Sequence, residues 1–212
     1  MAKLKAGILG PLSGKLGPVI GGTWKGIPYI RMNKEADIKR ERSPAQLANE
    51  EKFKFVNDWL VPFHPFITIG FSNLAVGKTA IAAALKANYK TVFTGLAPNI
   101  VVAYDQFQLS SGILPGVLNV NISFSGPDVI QLTWEQNAIK GTTYNDQLML
   151  ALYSEELAAC DGFAGAVNRS RQQYNFMIQG EMSGKPLHAW LSLTSLERRN
   201  ISDSIYLGII TP

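Results

Sequence analysis

A chain of 212 residues with 46% hydrophobic and 17% charged side chains is long enough for one large or two small folded domains, and is neither disordered nor collagen-like. Its single cysteine, Cys160, excludes an intrachain disulfide framework and leaves a thiolate metal site without ligands. The formal charge of +4 is uneven: residues 1–60 carry 11 Lys and Arg against 6 Asp and Glu, 61–120 carry 3 against 1, and 121–212 carry 6 against 9.

The opening MAKLKAGILG holds no apolar run of signal-peptide length before Pro11, and nowhere do about 18 apolar residues run uninterrupted. Neither an export signal nor a membrane span is expected, which places synthesis in the cytoplasm. Residues 7–31 contain seven Gly and three Pro among apolar residues, a composition that forbids a helix. The segment predicts two short strands, 15–20 and 23–31, joined by a turn at Gly21-Gly22. A two-stranded hairpin is marginal in water, so it must pack on something else.

Residues 32–42 are polar and read as an exposed loop. A helix follows, with Ser43 as N-cap, Pro44 at the first helical position and Gln46 in the capping-box place. Ala48, Phe55, Val56, Trp59 and Leu60 form its apolar stripe, and Pro62 and Pro65 are expected to stop it. Phe66–Ile69 is strand-like. A second helix is predicted over 78–93, with Ile81, Leu85, Tyr89 and Val92 on the buried side.

Past residue 99 the period changes. Segments 100–109, 117–124, 129–134, 147–153, 165–169, 173–178, 187–194 and 204–210 are short, mostly alternating and separated by turn residues such as Ser125-Gly126-Pro127 and Asp161-Gly162. The last seven suit a Greek-key sandwich. The expected fold is mainly β, α+β overall: residues 1–112 as a Gly-rich hairpin with two helices, and 113–212 as a seven-stranded sandwich. Trp134 at the end of one strand and Tyr206-Leu207-Gly208 in the last resemble the buried tryptophan and final strand of fibronectin type III and immunoglobulin-like domains.

Catalytic motifs are thin. Gly77-Lys78-Thr79 has the ending of a phosphate-binding loop, but Ser72 stands where the motif requires its first glycine. His64 and His188 have no helical metal-ligand spacing and are assigned to the surface or to an edge. Cys160 lacks a neighbouring base and reads as a packing residue beside a turn. Glu155 and Glu156 are adjacent, so on a strand they point apart. Trp24, Lys25, Tyr29 and Arg31 combine aromatic faces with cations, the ingredients of single-strand nucleic-acid binding, although acids interleave the basic first half.

Gly7-Ile8-Leu9-Gly10, Ser13-Gly14-Lys15, Gly17-Pro18-Val19, Trp24-Lys25-Gly26-Ile27, Tyr29-Ile30-Arg31 and Ser43-Pro44-Ala45-Gln46 resemble an uncharacterised family of Bacteroidota proteins, a domain of unknown function. The likeness runs the whole chain. It implies no activity, cofactor or catalytic residue, and the family's usual arginine near Glu50 or Glu51 is missing here.

The sequence thus points to a structural or interaction protein without catalysis, cofactor or metal. Its candidate contact residues are Leu9, Pro11, Leu16, Pro18, Val19, Ile20, Trp24 and Tyr29, and its partner through residues 1–31 is another copy or another protein, in an assembly such as a phage-derived virion or filament. Nucleic-acid binding through the basic half, and a nucleotide hydrolase around Lys78, are the alternatives.

Overall fold

Short apolar segments separated by two-residue turns make the start of the chain a small antiparallel sheet, in a computed structural model that describes residues 3–4, 10–33, 41–137 and 139–212. Strands β1 (Lys3–Leu4), β2 (Leu12–Leu16), β3 (Val19–Trp24) and β4 (Ile27–Met32) pair in that order. Gly17-Pro18 and Lys25-Gly26 are the turns. Lys25 and Gly26 both have positive φ, 46° and 82°, as a hairpin matching the twist of its strands requires.

The turn expected at Gly21-Gly22 is instead the middle of β3. A Cβ on Gly21 would lie 2.2 Å from the Leu12 carbonyl oxygen, and one on Gly22 would lie 2.8 Å from the Tyr29 hydroxyl. These glycines permit close approach between strands and do not reverse the chain.

Residues 1–44 and 45–212 form two compact units. In the second, α1 (Pro44–Leu60) begins where Ser43-Pro44 predicts. Helix α1 stops at Leu60, just before Pro62, as expected, but the chain stays helical beyond it: a 3-10 turn, Val61–Phe63, leads into α2 (His64–Gly70). Each proline takes a first-turn position, where a missing N–H costs nothing. The strand-like Phe66–Ile69 is therefore helical; an apolar run this short does not reveal its own period. Helix α3 (Ala80–Asn88) is shorter than predicted and buries Ala83, Ala84 and Asn88, while Ile81, Leu85 and Tyr89 are only partly covered. Thr79 Oγ1 accepts the Ala82 N–H at 3.0 Å, so the hydroxyl of the Gly77-Lys78-Thr79 string caps a helix. The strand expected over 100–109 is mostly absent: β5 (Phe93–Thr94) and β6 (Val101–Val102) pair briefly before a 3-10 turn at Tyr104–Gln106.

The remaining strands are β7 (Leu118–Phe124), β8 (Val129–Glu135), β9 (Gln147–Ser154), β10 (Ala159–Asn168), β11 (Gln173–Met177), β12 (Leu187–Thr194) and β13 (Ile205–Ile210). They form two antiparallel sheets, β11-β8-β7 and β10-β9-β12-β13. This is the predicted seven-stranded sandwich, and the chain as a whole is mainly β. Trp134 is buried in its core.

Successive residues of β9 belong to two different cores. Leu148, Leu150 and Leu152 face the sandwich interior, whereas Met149, Ala151 and Tyr153 pack with Val56, Leu60, Phe63, Ile67 and Phe71 of the helices. Strand β12 does the same, with Leu191 facing inward and Trp190 facing the helices. The second unit is therefore three layers, helices on a four-stranded sheet on a three-stranded sheet. The compact units divide near residue 44 and not at the expected 112, because the helices complete the outer face of the sheet.

Candidate functional site

Within the first unit, register decides which side chains share a face. Leu16 lies opposite Val19 and Val19 opposite Met32, and Ile30 and Leu12 belong to the same side. Ile20, Trp24, Ile27 and Tyr29 occupy the other side with Lys15 and Arg31. Both faces are open: Ile30 and Met32 are 68% and 71% exposed on one, and Trp24 is 56% exposed on the other.

The candidate contact residues are thus split. Leu16 and Val19 lie on the aliphatic side, Ile20, Trp24 and Tyr29 on the mixed side, Pro18 in a turn and Pro11 just before β2; Leu9 lies outside the described residues. Sequence reading missed Leu12, Ile27, Ile30 and Met32, which join these faces through strand pairing.

The second unit holds a cleft of about 650 Å³ between α1, the segment around β6 and the end of β9. Phe55, Trp59, Tyr104 and Tyr153 supply aromatic walls, Pro62, Ile100, Val101 and Val102 supply aliphatic surface, and Asp58 and Glu155 supply carboxylates. Trp59 is the centre of this packing. Its ring centroid lies 4.8 Å from Phe63, 4.9 Å from Phe107, 5.2 Å from Phe93 and 5.6 Å from Tyr153. Burial, and after it the charge of Glu155, pushes the Tyr104 phenol well above the ordinary range, so it stays protonated.

Behind Tyr104 stacks His188, with ring centroids 3.8 Å apart, and His188 Nδ1 lies 2.8 Å from the Tyr206 hydroxyl. The surface or edge position expected for His188 is incorrect: β12 is a central strand, and the ring is buried against those of Tyr104, Trp190 and Tyr206. Cys160 is partly buried in β10, where burial and then Asp161 push its thiol up and away from nucleophilic reactivity. Among the described residues no three His, Cys, Asp or Glu side chains cluster as metal ligands, and no helix is long and apolar enough to cross a membrane.

Burial holds the pKa of His188 below 6.5, with Glu155 opposing. The unfolded chain therefore takes up this proton more readily than the folded one. Stability falls as pH drops below about 6.5 and goes on falling until the folded-state pKa is passed. Between about pH 7.5 and about pH 5 the melting temperature is expected to fall further in the wild type than in His188→Gln; equal falls would show that this ring does not contribute.

No curated protein matches the sequence. Among solved structures, the chain is similar to the fn3 domain of human collagen alpha-1(XX), at 16% identity over 48% of this chain and 88% of that one, with a TM-score of 0.35. It is also similar to domains A168–A170 of titin, at 13% identity over 56% of this chain and 36% of that one, with a TM-score of 0.34. The family of unknown function DUF6266 matches residues 11–208, and the chain belongs to that family.

Proposed function

We propose that the protein is a non-catalytic, self-assembling subunit, joined to a second copy through the aliphatic face of its N-terminal sheet. The observation that carries this reading is a four-stranded sheet with apolar side chains exposed on both faces. Such a sheet gains stability only by covering a face. Leu12, Leu16, Val19, Ile30 and Met32 present no charge, and two such faces can stack as sheets do in a sandwich. The face suits the role better than the open edge of β4. Pro28 pairs with Thr23 one step from the turn, so its nitrogen points outward and brings no donor to an added strand. Repetition of such contacts would suit a filament or a virion shell.

Sedimentation velocity of the full chain and of an Ile30→Asp, Met32→Asp variant tests this. The wild type is expected as a dimer or larger species, and the variant as a monomer whose second unit melts unchanged. A wild type that stays monomeric as concentration rises would remove the self-assembly reading. Nucleic-acid binding is the second reading, favoured by Lys15 and Arg31 beside Trp24 and Tyr29 on the mixed face. It would show as salt-sensitive retention on DNA that Arg31→Glu weakens and the Ile30/Met32 changes spare.

A further inference from the structure

The cleft of the second unit has a chemistry of its own, independent of the N-terminal sheet. Its volume, about 650 Å³, lies in the range of sites that enclose small organic groups. Four aromatic rings line it with Asp58 and Glu155, and no Lys, Arg or His is among the lining residues. Neither cleft carboxylate takes part in an ion pair with a described residue. Glu155 lines the cleft together with Tyr104 and Tyr153, which sets its charge beside the aromatic walls.

We infer that this cleft binds an organic cation of the alkylammonium class. Aromatic faces carry the negative lobe of the ring quadrupole and attract a weakly hydrated cation, while aliphatic walls such as Ile100 and Val102 take its carbon substituents. The two carboxylates add attraction for positive charge and repel anions. A hard metal ion is a poor fit, because calcium or magnesium needs six or more oxygen ligands in place of rings. The cation is either a free small molecule or an ammonium carried on a lysine side chain, and both present the same group to the cleft.

Titration of the full-length protein by calorimetry and tryptophan fluorescence separates the sources. The probes are choline, the neutral carbon isostere of choline, and a peptide bearing trimethyl-lysine. At least one cation is expected to bind about tenfold or more tightly than the isostere, with a change in emission from Trp59. Asp58 and Glu155 are exposed, so Asp58→Asn with Glu155→Gln is expected to fold normally and to lose about tenfold in affinity. Phe55→Leu removes one exposed ring and is expected to lose severalfold. Choline binding supports a free ligand, and binding of the peptide alone supports a polypeptide ligand. Failure of both cations, an isostere that binds equally well, or unchanged affinity in the double carboxylate variant would overturn the inference.

Discussion

Replacing Phe63 with alanine is expected to destabilise residues 45–212 by about 3–5 kcal/mol, the cost of deleting a fully buried aromatic ring from a packed core. The ring lies where the helical and β layers meet. Its centroid is 4.8 Å from Trp59 of α1, 4.9 Å from Phe107, 5.0 Å from Tyr153 of β9 and 5.6 Å from Trp190 of β12. The resulting cavity touches both layers at once. The melting temperature is expected to fall on the order of 10 °C. Far-ultraviolet circular dichroism, which follows the helices, and tryptophan fluorescence, which follows the layer interface, are expected to report one shared transition in the variant as in the wild type. Helix loss well below the fluorescence transition would mean that the layers fold separately, contrary to their common core.

The second large effect is expected at Arg169. Its side chain and that of Asp146 are 3% and 1% exposed, and Nε lies 3.2 Å from the Asp146 carboxylate as an ion pair without a well-aligned hydrogen bond. The guanidinium spends its other donors on backbone: Nη1 donates to the carbonyls of Gly116 and Asn137, and Nη2 to that of Pro115. The Arg169 carbonyl accepts from Trp134 Nε1 at 2.8 Å, and Asp146 accepts from the N–H and hydroxyl of Thr143. One residue thus ties the approach to β7, the β8–β9 connection and the end of β10. Arg169→Ala leaves three partly buried carbonyls and a buried carboxylate short of donors. Breaking a buried pair in this way costs about 3–5 kcal/mol. Arg169→Lys keeps the charge but loses the fork, and is expected to fall between alanine and wild type in denaturant melts. A variant Arg169→Ala as stable as the wild type would show that water replaces the network.

Much of the sandwich was legible because β-branched and aromatic runs bounded by turn residues can do little else: β7, β8, β9, β11, β12 and β13 lie within a few residues of the predicted segments. Glycine caused the main errors. Asp161-Gly162 read as a turn, yet both lie inside β10, and a Cβ on Gly162 would meet the Leu150 carbonyl oxygen at 2.0 Å. The reversal is made instead by Glu155–Ala158, where Ala158 adopts a positive φ of 49°. A glycine needed for close approach and one needed for reversal look alike until the neighbouring strand is known.

The cleft was not legible. Trp59 read as helix core and Glu155 as half of an improbable acid pair, and nothing local joins them to Tyr104 or Tyr153. What the sequence did contain was the pair of nearly uninterrupted apolar runs LMLALY and LHAWLSL, which signal strands covered on both sides. Reading them as alternating strands concealed the helical layer, and with it the space between α1 and β9.

Strands β9 and β12, buried along nearly their whole length, contrast with β7, where only alternate positions are partly covered. Sequence drift should therefore be lopsided, free at every second place in β7 but closed at consecutive places in the inner pair. For the same reason, cutting the sandwich away from its helices would leave Met149, Ala151, Tyr153 and Trp190 facing water.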